Sequence, residues 1–288
     1  MKSTSDAAPL AAFAGCTILW GTTFLAIRFG TATLPPLWGA ALRLLLAALI
    51  LAPLSLALGQ PFPRGAALRA AVVYGALEFG ANLGLLYWAE RVVPSGLAAI
   101  FYATSPLVGA IAAHLSGQER LHTGRVLGTL VAFTGVVIAF ASELTARADP
   151  IALLAVLAAA VVAGLAGIAL RRVPSMPVVP TNAVGCAVGG AMLVPISLLA
   201  REPITIPSTW NAWGPVLYLT AAGSLGAFVL YTFLVNRWGV ARATLLGVTV
   251  PIVALIVGAI VGGERLAAST LAGGALVLVG VAIALRRD

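Results

Sequence analysis

The chain has 288 residues, of which 61% are hydrophobic and 9% charged, with a formal net charge of +8. A soluble domain carries roughly 25% charged residues, so a chain of this composition cannot cover a water-facing surface and a soluble globular protein is excluded. The positive charges are spread between apolar blocks rather than gathered in one basic stripe, which argues against a nucleic-acid partner.

The apolar blocks come in chain order, several longer than the roughly 18–20 residues that cross a bilayer as helix. Ten spans are predicted, near 9–29, 36–58, 66–89, 94–115, 121–141, 150–170, 178–200, 212–236, 240–262 and 267–285. The first, "LAAFAGCTILWGTTFLAI", is too long for a signal-peptide core and lacks a small-residue cleavage site, so it reads as a retained span. Trp20 and Gly21 fall at its middle, away from the interface that tryptophan prefers. Trp20 is therefore a candidate to offer a flat ring to a ligand, with core packing as the alternative, and Gly21 a place for close helix approach. The second span carries Arg43, expected to snorkel toward the interface.

The third span holds Glu78 at its centre, where a charge costs about 2.5–3.5 kcal/mol on insertion scales. It reads either as a functional acid or as a carboxyl locking two helices together. Asn82 and Tyr74, each four residues away, share its helical face. The fourth span contains Tyr102, Ser105 and Pro106, and His114 and His122 near the next loop read as surface residues. The sixth holds Gly164. The eighth lies within a stretch from Pro203 to Asn236 without a single charge and carries Ser224, Phe228 and Tyr231. The ninth contains Thr249 and Pro251. Cys16 and Cys186 lie inside spans with no CxxC or histidine neighbour and read as packing residues, so neither a metal site nor a disulfide is expected.

The chain is one unit written twice. A shift of 145 aligns Pro106 with Pro251, Gly117 with Gly262, Glu119-Arg120-Leu121 with Glu264-Arg265-Leu266, Gly128 with Gly273 and Gly135 with Gly280. Earlier spans match at shifts of 142 to 146, placing Gly164 opposite Gly21 and Thr220, Ser224 and Phe228 opposite Tyr74, Glu78 and Asn82. Two five-helix units follow, 1–145 and 146–288. Because five is odd, the second unit enters the membrane from the opposite face, as in transporters that work by alternating access. One face receives eleven cations and the other five, so both termini are expected in the cytoplasm.

"LWGTTFLAIRFG" in the first span and "GVTVPIVALIVGAIVGGERLAASTLAGGALVLVGVAIAL" at the end resemble the most characteristic stretches of the EamA family of the drug/metabolite transporter superfamily. The resemblance implies an all-α integral membrane protein of ten helices in two inverted repeats. It also implies a central cavity between them built from helices 1, 3, 4, 6, 8 and 9, and export of small metabolites. Length and pattern are most similar to bacterial amino-acid exporters of the YddG type, which implies neutral and aromatic amino acids as substrates and the bacterial inner membrane as location. Export of another small metabolite or drug, or a lipid flippase or channel, is the alternative.

The expected substrate site comprises Trp20, Tyr74, Glu78, Asn82, Tyr102, Ser224, Phe228 and Tyr231, because the polar stripes of helices 3 and 8 are equivalent under the repeat. Gly21, Pro106, Gly164 and Pro251 are the expected hinges, proline removing one helical hydrogen bond at each paired position. No HExxH, no pair of intramembrane aspartates and no GxxxxGK[ST] occurs, so no enzyme, cofactor or ATP engine is expected. The expected partners are a small-molecule substrate and the lipid bilayer, with a monomer as one possible assembly.

Overall fold

A computed structural model describes residues 7–93, 105–117, 122–139, 149–171, 177–243, 245–262 and 268–285, together with Ala98 and Tyr102. Among them are helices and loops but no strand. The repeated Glu119-Arg120-Leu121 and Glu264-Arg265-Leu266 loops lie outside the described residues. We number the helices α1 (Ala7–Thr31), α2 (Pro36–Ala57), α3 (Ala66–Ala89), α4 (Ser105–Leu115), α5 (Thr123–Ala139), α6 (Pro150–Arg171), α7 (Val178–Leu199), α8 (Trp210–Trp238), α9 (Leu246–Gly262) and α10 (Ala268–Leu285). Six of these, α1, α2, α3, α6, α7 and α8, are long and apolar enough to cross a membrane. The outer faces of the helices stay apolar, with Leu49 of α2, Leu154 of α6, Ile260 of α9 and Leu271 of α10 exposed, as suits a surface solvated by lipid.

Local chemistry sets where the helices begin and end. Pro36 and Pro150 open α2 and α6, since proline's missing N–H and fixed φ are tolerated in a first turn. The first amides of α2 gain a carboxylate from across the bundle. Leu37 N and Trp38 N donate to Glu202 Oε1 and Oε2 at 3.3 and 3.0 Å, and Ser197 Oγ holds the same carboxylate at 2.9 Å. Gly239, at φ 87°, ends α8 and turns the chain into the short helix Val240–Ala243.

The helix contacts are reciprocal under exchange of the repeats. α1 packs on α8 and α9, while α6, its counterpart, packs on α3 and α4. At residue level, Gly21 meets Val250 and Val253 of α9, and Gly164 meets Val108 and Gly109 of α4. Val108 and Val253 are themselves 145 apart. The equivalent helices α5 and α10 cross face to face, Gly128 against Gly280 and Ala284, and Gly135 against Gly273 and Val277. As one climbs the other descends, so this pair is antiparallel. Exchange of the repeats turns the Gly128–Gly280 contact into the Gly135–Gly273 contact, which is the signature of an approximate two-fold axis between them. A Cβ on Gly128 would lie 2.6 Å from Gly280 O, so glycine is what lets these helices meet.

Candidate functional site

Both polar stripes sit where their helices change winding. Gly75–Asn82 within α3 and Leu219–Ala227 within α8 are π-helical, and the two overlap under a shift of 146. Wider turns of this kind loosen the backbone ladder and recur at functional sites. Neighbours hold them in place. Glycines of α7 receive the α3 stretch, a Cβ on Gly75 standing 2.7 Å from Gly185 Cα and one on Gly185 standing 2.7 Å from the Phe79 ring. Cys16 Sγ of α1 donates to Ala227 O at 3.3 Å at the end of the α8 stretch.

Between the stretches lies a cavity with about 740 Å³ of space between the atoms, part of it open to the surroundings. Its walls come from α1 (Trp20, Thr23, Phe24, Ile27), α3 (Glu78, Asn82, Leu83, Leu86), Tyr102 with Ser105 of α4, Ala163 of α6, Phe228 and Tyr231 of α8, Ala243, and α9 (Leu246, Gly247, Val250, Pro251). One further wall residue, Arg43, comes from α2.

Aromatic rings form one side. Trp20 lies 5.1 Å from Phe228 and 5.3 Å from Tyr231, centroid to centroid, and Phe228 lies 4.4 Å from Phe79 behind it. A polar group faces them. Asn82 Nδ2 donates to Glu78 Oε1 at 3.2 Å and to Tyr102 Oη at 3.1 Å. Glu78 and Asn82 are 3% and 1% exposed, yet Glu78 Oε2 and Asn82 Oδ1 have no partner. Buried polar atoms are ordinarily satisfied, and these two oxygens are acceptors left without a donor.

Of the expected substrate residues, Trp20, Glu78, Asn82, Tyr102, Phe228 and Tyr231 share this cavity. Tyr74 and Ser224 stand outside its lining. Both are buried among helices, Tyr74 with its ring edge-on to Phe79 at 5.4 Å. Of the expected hinges, Pro251 lies inside α9 and lines the cavity, Gly21 and Gly164 occupy the reciprocal contacts described above, and Pro106 is the second residue of α4.

Arg43 corrects the sequence reading. It does not reach the interface but is 2% exposed, with Nη1 donating to Tyr87 Oη at 2.8 Å and its guanidinium 5.4 Å from the centre of the Tyr87 ring. Thr220 Oγ1 of α8 donates to its backbone carbonyl at 3.3 Å. Glu90, at the end of α3, is also buried. The one sequence signal for Arg43 was its depth, the eighth residue of an apolar span.

Apolar helices gathered around a cavity that combines aromatic rings, a buried acid and a buried base define an integral membrane protein built to hold a small solute. The EamA-like transporter family matches residues 8–141 and 150–286, and the chain belongs to that family. It is 29% identical to the "Uncharacterized inner membrane transporter YedA" of Escherichia coli, over 86% of this chain and 81% of that protein. It is 31% identical to the "Probable terminal-alkyne amino-acid exporter" of Streptantibioticus cattleyicolor, over 94% and 91%. A crystal structure at 22% identity superposes with a TM-score of 0.82 over 98% of this chain and 97% of its own, which establishes the fold.

Proposed function

We propose that the chain is a secondary transporter that exports small metabolites, neutral and aromatic amino acids foremost, by alternating access around the central cavity. The observation that carries this reading is the wall itself. Rings of Trp20, Phe228 and Tyr231 suit an apolar side chain, and the open oxygens of Glu78 and Asn82 suit an amine. A Salmonella typhimurium relative, 26% identical over 92% of this chain and 91% of its own, is named "Probable amino-acid metabolite efflux pump", which agrees with it.

Ten membrane-spanning helices in two inverted units, with both termini in the cytoplasm of a bacterial inner membrane, complete the proposal. The antiparallel crossing of the equivalent helices α5 and α10 supports the inversion. In this scheme the paired contacts at Gly21 and Gly164, with Pro106 and Pro251 opposite them, are where the halves rock. Proteoliposomes given radiolabelled amino acids, with and without a pH gradient, test the activity. Vesicles that ignored phenylalanine, methionine and threonine but moved a sugar, nucleoside or lipid would defeat the substrate. A periplasmic reporter signal after Asp288 would defeat the topology.

A further inference from the structure

We propose that the cavity recognises its solute as a zwitterion, Arg43 taking a carboxylate and the Glu78–Asn82 pair an ammonium, so that its substrates are amino acids rather than uncharged metabolites. This rests on the reading of the chain as an amino-acid transporter and assigns Arg43 as the residue that sets its selectivity.

An arginine and an acid line one cavity without bonding each other. Arg43 and Glu78 are 2% and 3% exposed, so water satisfies neither well. Glu78 Oε1 is engaged only by Asn82, and Oε2 by nothing. On Arg43, Nη1 is bound to the neutral hydroxyl of Tyr87, which fixes the guanidinium without consuming its charge, and Nε has no partner. Glu90 is within electrostatic range of Arg43, yet neither of its oxygens makes a hydrogen bond.

A planar guanidinium held by a ring and one hydrogen bond is preorganised for a carboxylate. An acid with an open oxygen beside an open amide oxygen is the matching cradle for an ammonium. A solute carrying both charges pairs both groups at once and enters with no net charge added to the membrane interior. A solute with only one leaves the other group buried without a hydrogen-bonded ion partner. The rings of Trp20, Phe24, Phe228 and Tyr231 remain for the side chain.

The test is counterflow of radiolabelled phenylalanine into proteoliposomes holding the full chain. Phenylalaninamide, which lacks the carboxylate, and 3-phenylpropionate, which lacks the amine, serve as competitors. In the wild type each analogue should compete about tenfold more weakly than phenylalanine, the loss expected for one charged hydrogen bond. Arg43→Gln should lower phenylalanine uptake about tenfold while shifting preference in the remaining uptake toward phenylalaninamide, and Glu78→Gln should shift it toward 3-phenylpropionate. Arg43→Lys, which keeps the charge but not the fork, should retain part of the uptake and the wild-type order.

Analogues that compete as well as phenylalanine in the wild type overturn the assignment, as do variants that lose uptake with the analogue order unchanged. The wild-type series decides the matter even if Arg43→Gln fails to fold. A wild type that carries phenylalanine but ignores charge pattern sinks the Arg43 assignment alone. One that moves no amino acid sinks the broader reading along with it.

Discussion

The middles of α3 and α8 are copies of one ancestral segment, and both have kept the same wide winding, Gly75–Asn82 and Leu219–Ala227. Their side chains have diverged. α3 turns Glu78 and Asn82 into the cavity with two oxygens unpaired, whereas α8 turns Phe228 and Tyr231 into it and keeps Ser224 outside. The two-fold scaffold supplies a cavity with two equivalent walls, and the chemistry lies in how those walls differ. One wall carries buried polar groups and the other aromatic rings.

The largest expected effect tests that division. Glu78→Ala should lower transport by about ten- to hundredfold, the worth of a charged hydrogen bond, while Ser224→Ala, at the equivalent position, should stay within about twofold. Counterflow on both purified variants measures it, and equal losses would erase the distinction between the walls.

Packing behind the two walls differs as well. Gly75 meets the Gly185 backbone, whereas its counterpart Ala221 is exposed. Gly75→Ala should therefore cost about 1–3 kcal/mol through overpacking, and Ala221→Val less than about 0.5 kcal/mol. Thermal unfolding in detergent reports both, and a Gly75→Ala protein as stable as the wild type would mean that α3 and α7 can separate freely.

Smaller again is the tie that holds the α8 stretch to α1. Cys16→Ala removes the donor to Ala227 O, and about 1 kcal/mol of stability should go with it. Cys16→Ser should restore most of that by supplying a stronger donor of similar size. The smallest effect on transport lies outside both walls, at the cap joining α2 to the loop after α7. Glu202→Ala should lower stability by about 0.5–2 kcal/mol without changing the substrate order in counterflow.

The position of the wall residues was partly legible in advance. Glu78 and Asn82 announce themselves as a polar pair on one face of an apolar span, and Phe228 follows from Asn82 by the repeat. The spacing of four pointed also to Tyr74, and the repeat to Ser224, which the cavity leaves out. Spacing of four places residues on a common face only while the helix keeps its ordinary winding. Both stripes run through π-helical turns, which rotate the residues beyond them relative to those before. Nothing in a hydrophobicity pattern signals such a turn.

What the sequence by itself determined is therefore everything that runs along the chain. The membrane class follows from composition, the six long apolar helices from the length of apolar blocks, and the repeat from a ladder of matches at nearly constant shift. The reciprocal helix contacts were left to tertiary structure, as was the fate of Arg43. A lone arginine eight residues into a span has the reach to snorkel, and only the neighbouring helix decides otherwise, because Tyr87 offers it a hydroxyl and a ring inside the bundle. Where a charged side chain goes depends on which partner lies within its length, and that is settled by the packing of helices distant in sequence.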